Sequence, residues 1–237
     1  MQRYFAMKNN NQIILGDDDI HHLLHVMRAR INDEIEVVAD GVLYSAIIDN
    51  LSPLSIHINY QIPSDAEINK EVTLFFALAK GEKIDFVIQK ATELGVRKIV
   101  LIKTERCVVK MDQCDFQKKL VRYQKIAKEA SEQCHRLVIP EIIGVIDINN
   151  IPNNLLTDIN LLAYERKAGH TKDLLSENEQ FNSVSVMIGP EGGFSEKEVD
   201  LLIQKYHFDT ISLGKRILRT ETAAVYALSV LSYLLEQ

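Results

Sequence analysis

The residue pattern changes character at Val72, and that change constrains the fold more than any other feature. "VTLFFALA" (72–79) is an uninterrupted apolar run, which suits a strand covered on both faces in a parallel sheet. "EKIDFVIQKATEL" follows with apolar residues at Ile84, Val87, Ile88, Ala91 and Leu94, the stripe of a helix. Gly95 stands where a C-terminal helix cap belongs. "KIVLI" is the next strand, and a long helix is expected from Phe116 to about Cys134. "INLLAY", "SVSVMI" and "TISL" read as further strands, with helices after the last two at 196–206 and 221–236. Such alternation predicts an α/β fold over 71–237, a parallel sheet with helices on both faces.

Residues 1–70 read as a separate β-rich domain. "EIEVVADGVLYSAIID" holds two strands around Asp40-Gly41, a pair suited to a tight hairpin turn. "LSIHINYQI" is a third strand, with Ile56, Ile58 and Tyr60 on one face. "DDDIHHLLHVMR" predicts a short helix with Asp17 or Asp18 as N-cap, and polar "PSDAEINK" (63–70) is the linker.

Charge is uneven. Residues 1–79 hold 5 Lys/Arg against 11 Asp/Glu, residues 80–136 hold 14 against 8, and residues 137–237 hold 8 against 14. A basic middle third in a chain of net charge −6 fits either a solvated helix face or a surface for a polyanion. No run of about 18 apolar residues suggests a membrane span, and the first residues lack a signal-peptide core. Three cysteines without a CxxC pair fit a reducing cytosol. His21, His22 and His25 have no accompanying ligand set, so no metal is expected.

Two loops look functional. "GPEGGF" (189–194) follows the strand "SVSVMI", and Ser195 with Glu198 has the spacing of a capping box. The loop therefore lies at the carboxyl end of a parallel strand, where ligands bind in open α/β sheets. "GKRILR" (214–219) repeats the arrangement after "TISL", with Thr220 as the expected N-cap. The G-x-G-x-x-G and P-loop spacings are absent, and Glu191 would repel a pyrophosphate. A neutral or zwitterionic ligand held by backbone groups fits these loops.

"IGPEGGFSEKE" together with "LGKRILRTETA" resembles the SPOUT-class RNA methyltransferases, specifically the RsmE family. "RYF", "HHLLHVMR", "KGEKIDFVIQKATELGV", "TERC" and "EQCHR" follow in family order, so the resemblance covers nearly the whole chain. It implies a PUA-like RNA-binding barrel for 1–70 and a trefoil-knot domain for 71–237. It implies methylation of N3 of a uridine in 16S ribosomal RNA, with S-adenosylmethionine bent inside the knot. The contacts would come from Tyr164, Glu165, Ile188, Gly189, Pro190, Glu191, Gly192, Leu213, Gly214, Ile217, Leu218 and Arg219. It implies a homodimer with active sites completed at the interface. A non-catalytic RNA-binding relative and a methyltransferase acting on transfer RNA are the alternatives.

Removal of the uracil N3 proton spreads negative charge onto O2 and O4, which an arginine would stabilise. Arg219 is the first candidate, followed by Arg106 and Arg136. Glu221 is the candidate base, although its place at a helix start serves equally as a charge facing the dipole; Glu132 is a second. Arg3, His25 and Arg28 are expected to face RNA, with Arg106, Glu132 and Arg136 as further substrate residues. The last helix is apolar nearly all round, from Ala223 and Ala224 to Leu234 and Leu235, which asks for a partner helix on its outer side.

Overall fold

A computed structural model describes residues 2–164 and 180–236, which form two compact units. The first is Met1–Glu67 with Ser131–Val138, and the second is Ile68–Ala130 with Ile139–Gln237. Residues 131–138 thus pack with the first unit, although they lie within the span read as the second.

In the first unit β1 (Arg3–Phe5), β2 (Met7–Asn9), β3 (Gln12–Ile14), β4 (Glu34–Ala39), β5 (Val42–Leu51) and β6 (Leu54–Ile62) form one sheet in the order β1-β4-β5-β6-β3-β2. β1 and β2 stand at opposite ends of that order, yet only Ala6 separates them in the chain. The sheet must therefore curl until its ends approach. The Asp40-Gly41 hairpin forms, with φ of 52° and 75° at the two turn residues, as a primed turn demands. One expectation fails in β6. The register slips between Ser45 and Ala46, so that a bulge turns Tyr60 outward while Ile56 stays buried.

The predicted helix starts at Asp17 but its N-cap is Gly16, with no side-chain cap. Asp17, Asp18 and Asp19 occupy the first turn instead, where negative charge meets the positive end of the dipole. The helix (α1, Asp17–His21) widens into a π-turn, His22–Val26. Tyr4 packs beneath it and its hydroxyl lies 2.9 Å from Nδ1 of His22. Burial pushes the phenol pKa up to about 12, with help from the charges of Glu132 and Asp19.

Arg3 and Arg136, both expected to meet RNA, each hold a carboxylate of the first unit. Arg3 is 5% exposed; its Nε and Nη2 donate to Glu36 at 2.9 and 2.8 Å, and Nη1 donates to the carbonyl of His135. Arg136 is 3% exposed and donates to both carboxylate oxygens of Glu67. A guanidinium this buried needs an internal anion. Glu132 accepts from the backbone N–H of Phe5. His25 and Arg28 are exposed, and Arg28 adopts a left-handed φ of 54°.

The second unit contains β7 (Glu71–Ala77), α2 (Lys83–Glu93), β8 (Lys98–Lys103), α3 (Gln113–Gln133) as far as Ala130, β9 (Glu141–Asp147), β10 (Ile159–Ala163), β11 (Ser183–Ile188), α4 (Glu196–Tyr206), β12 (Phe208–Ile211) and α5 (Thr220–Leu235). Its sheet order is β12-β10-β11-β7-β8-β9 and every pairing is parallel. The apolar run of β7 serves two cores. Leu74 and Phe76 join Val87, Ile88, Ala224 and Leu228 of α2 and α5. Phe75 and Ala77 join Val199, Leu202 and Tyr206 of α4. A strand with helices on both faces has no polar side to show, which is why no alternation appears in its sequence. β9, unread in the sequence, extends the sheet beyond β8.

Changing Arg136 to alanine leaves the Glu67 carboxylate, 12% exposed, without its guanidinium. Loss of one partner of a buried pair costs about 3 kcal/mol or more. Urea unfolding followed by circular dichroism should show that loss; wild-type stability in the variant would make the pair dispensable.

Candidate active site

β11 ends at Ile188, and the next seven residues connect it to α4. The helix start is fixed as predicted. Ser195 Oγ accepts from the N–H of Glu198, and the Glu198 carboxylate accepts from the N–H of Ser195 at 2.8 Å. That carboxylate is 5% exposed, and its other oxygen accepts from the N–H of Glu105 at 2.7 Å. One buried anion thereby holds the turn after β8 against the loop after β11.

The glycines of that loop have separate reasons. A Cβ on Gly189 would lie 2.9 Å from the ring of Phe194. A Cβ on Gly192 would lie 3.1 Å from Cβ of Arg106, whose Nη1 donates to the Gly192 carbonyl at 3.0 Å. Gly193 closes a turn onto the Pro190 carbonyl with φ of 65°, the left-handed region that suits glycine. Part of the bare backbone is therefore explained by packing within the protein.

The second loop, 212–219, joins β12 to α5 and reaches the first. Thr220 is not the N-cap; Arg219 is, with extended φ and ψ. The Thr220 hydroxyl donates instead to the Gly189 carbonyl at 2.8 Å, which takes it away from its own helix end. The two loops, the turn after β8 and the end of β10 enclose a cavity of about 840 Å³.

Tyr164, Ile188, Gly189, Pro190, Glu191, Gly192, Leu213, Gly214, Ile217, Leu218 and Arg219 all line it. Glu165 lies outside the described residues. Arg106 and Glu105 also line the cavity, so Arg106 is the substrate candidate that reaches it. Ile217 is 88% exposed. Glu221, the candidate base, is not among the described lining residues; its carboxylate pairs with Lys83 at 3.2 Å. Arg3, His25, Arg28, Glu132 and Arg136 belong to the first unit.

Lys83 was not singled out in the sequence. Its signal was a lone cation opening a helix, where a positive charge opposes the dipole and needs another reason to be present. The reason is two carboxylates: Glu191 at 2.8 Å and Glu221 at 3.2 Å. The hydrogen bond to Glu191 raises the Lys83 pKa above 10.5, against a smaller opposing effect of burial. For Glu191 burial favours the neutral acid. The Lys83 hydrogen bond and backbone N–H groups of Glu191 and Lys80 outweigh it and lower the pKa below 4.5.

The model of the RNA methyltransferase domain family matches residues 66–232, and that of the RNA methyltransferase PUA domain matches residues 8–59. The ribosomal RNA small subunit methyltransferase E of Bacillus subtilis is 35% identical, over 98% of this chain and 96% of that protein. Its namesake from Buchnera aphidicola (strain APS) is 32% identical over 94% and 88%. Among solved structures, a ribosomal RNA small subunit methyltransferase E from Neisseria gonorrhoeae, bound to S-adenosyl methionine, superposes with a TM-score of 0.85 at 29% identity, covering 99% of this chain and 98% of that one. A methyltransferase from Legionella pneumophila holding the same cofactor gives 0.87 at 30%, with the same coverage. The first unit thus has the PUA-like fold, and the second is the SPOUT-type α/β domain.

Replacing Glu191 with glutamine tests the ion pair. Its folded pKa is lowered, so its contribution is present above 4.5 and fades as pH falls through the lowered value; the Lys83 contribution is present below 10.5 and fades as pH rises through the raised one. A pair this accessible is worth about 1 kcal/mol at most. The variant should melt slightly below wild type between those limits, and the gap should close on the acid side. A gap independent of pH would assign the effect to packing.

Proposed function

We propose that this chain, which belongs to the ribosomal RNA small subunit methyltransferase E family, transfers the methyl group of S-adenosylmethionine to N3 of a uridine in 16S ribosomal RNA. One observation carries the reading. The two glycine loops, which follow β11 and β12 at the carboxyl edge of a parallel sheet on either side of β10, converge on one cavity in a chain that superposes end to end on relatives holding that cofactor.

The cavity fits the cofactor. Its volume is of the size that holds a small molecule, on the order of 300–1,000 Å³. Its walls offer bare backbone at Gly189, Gly192 and Gly214 and apolar surface at Ile188, Leu213 and Leu218. These residues, with Tyr164, Pro190, Glu191, Ile217 and Arg219, would hold it; when bound it supplies a sulfonium methyl as electrophile. The protein's part is then alignment and charge. Two loops fixed by Glu198 and by Thr220 hold the reaction geometry, and such positioning is worth roughly 7–11 kcal/mol. Arg219, at the cavity and exposed, would stabilise charge on the uracil oxygens. Arg106 is the second such cation. Glu221 pairs with Lys83 in the first turn of α5.

The RNA partner is 16S ribosomal RNA or the small subunit, and the location is the cytoplasm; no described helix is long and apolar enough to cross a membrane. The enzyme works as a homodimer. α5 packs on α2 and β11, yet Tyr226 and Tyr233 remain 44% and 67% exposed on it, apolar surface that a second copy would cover.

Calorimetric titration should show S-adenosylmethionine binding to the wild type. Gly192→Val should weaken it at least about tenfold, because its branched side chain displaces Arg106 and the turn that carries it. Equal affinity in the variant would sink the proposed pocket. Light scattering at micromolar concentration should report twice the chain mass of 27.0 kDa. A fully active protein at the single mass would refute the dimer.

A further inference from the structure

Lys83 opens α2 and belongs to neither glycine loop. It is not among the described residues that line the cavity. Its ammonium nevertheless stands between the two segments that enclose that cavity. Glu191 lies in the loop after β11, and Glu221 lies in the first turn of α5, directly after the loop that follows β12. Nζ is 2.8 Å from Oε1 of Glu191 and 3.2 Å from Oε2 of Glu221. That Glu221 oxygen is buried and has no hydrogen bond among the described residues, so the ammonium is the charge that compensates it.

We propose that Lys83 is a positioning residue for the methyl-donor pocket, an ammonium strut that sets the spacing of the two cofactor loops by bridging Glu191 and Glu221. The inference rests on the reading of the cavity as the S-adenosylmethionine site. Three features support it. The first is redundancy of attachment: the same two segments are also joined by the Thr220 hydroxyl on the Gly189 carbonyl, so the lysine adds a second fixed point rather than a first. Two points define an orientation where one defines only a distance. The second is charge. Without the ammonium, two carboxylates would face each other across the junction, and like charges at short range repel. The junction would then open at the loop whose backbone meets the ligand. The third is the protonation of the partners. The lysine is held charged and Glu191 is held ionised, which favours the pairing of the two.

Such a lysine acts through other residues and touches no reacting atom. Its removal should therefore raise the cofactor KM and dissociation constant while leaving kcat at saturating cofactor near normal. The test uses the full-length protein with Lys83→Met, which keeps the aliphatic stem, and Lys83→Arg, which keeps the charge. Glu191→Gln and the double variant with Lys83→Met complete a cycle. S-adenosylmethionine affinity is read by calorimetry and ligand-free melting by circular dichroism.

Lys83→Met should weaken binding about tenfold, and Lys83→Arg should recover most of it. The double variant should lose less affinity than the sum of the two single losses, because the strut shared by Lys83 and Glu191 can be broken only once. The ligand-free melting temperature should fall by only about 2–4 °C, the scale of a 1 kcal/mol loss in a chain of this size. Wild-type affinity in Lys83→Met, additive losses in the double variant, or a loss of kcat with KM unchanged would each overturn the strut while leaving the functional reading intact. A wild-type protein that binds no S-adenosylmethionine would overturn both.

Discussion

Parallel pairing of β10, β11 and β12 governs the second unit. Parallel neighbours end at the same edge, so the loops that follow them emerge side by side. Helix α4 and helix α5 both begin there, and both present N–H groups and the positive ends of their dipoles to that edge. The acidic residues at these helix starts, Glu196, Glu198 and Glu221, follow from that electrostatic need. Two of the three have second tasks. Glu198 also secures the turn that carries Arg106, and Glu221 also faces Lys83. The cavity is the space between segments fixed in this way.

Most of the fold was legible because its signals are local. The apolar runs of β7, β8, β10 and β11, the stripe of α2, the Asp40-Gly41 turn and the Ser195–Glu198 capping box each declare themselves within a dozen residues. What escaped were features whose cause lies far along the chain. β1 pairs with β4 across thirty-odd residues, and no three-residue strand carries a period long enough to read. Tyr60 faces outward because of a bulge that depends on its partner strand. Thr220 has the chemistry of an N-cap, but a carbonyl on another loop claims its hydroxyl.

The site divides along the same line. Both glycine loops stand out from the strand–glycine–helix order alone, and the described members of the expected cofactor set line one cavity. The arginines were harder, because sequence reports charge and not partner. Arg106, Arg3 and Arg136 look alike in a basic segment or an RNA-like motif. Only Arg106 reaches the cavity; the other two neutralise Glu36 and Glu67 inside the first unit. Lys83 illustrates the converse. Nothing within its own helix points to Glu191 and Glu221, more than a hundred residues away, which stand beside it.

The first unit is interrupted in sequence: Ser131–Val138 completes what Met1–Glu67 begins. That interruption has a consequence during synthesis. A ribosome adds roughly 5–20 residues each second, so the β-strands of the first unit wait several seconds for the segment that brings Arg136 to Glu67. In that interval Glu67 is solvated rather than paired, and the unit lacks its final support. Strands β7 and β8 and helix α2 are already outside the ribosome by then. The first unit therefore matures only after the second has begun, and its last ion pair serves as a late closing step in the order of assembly.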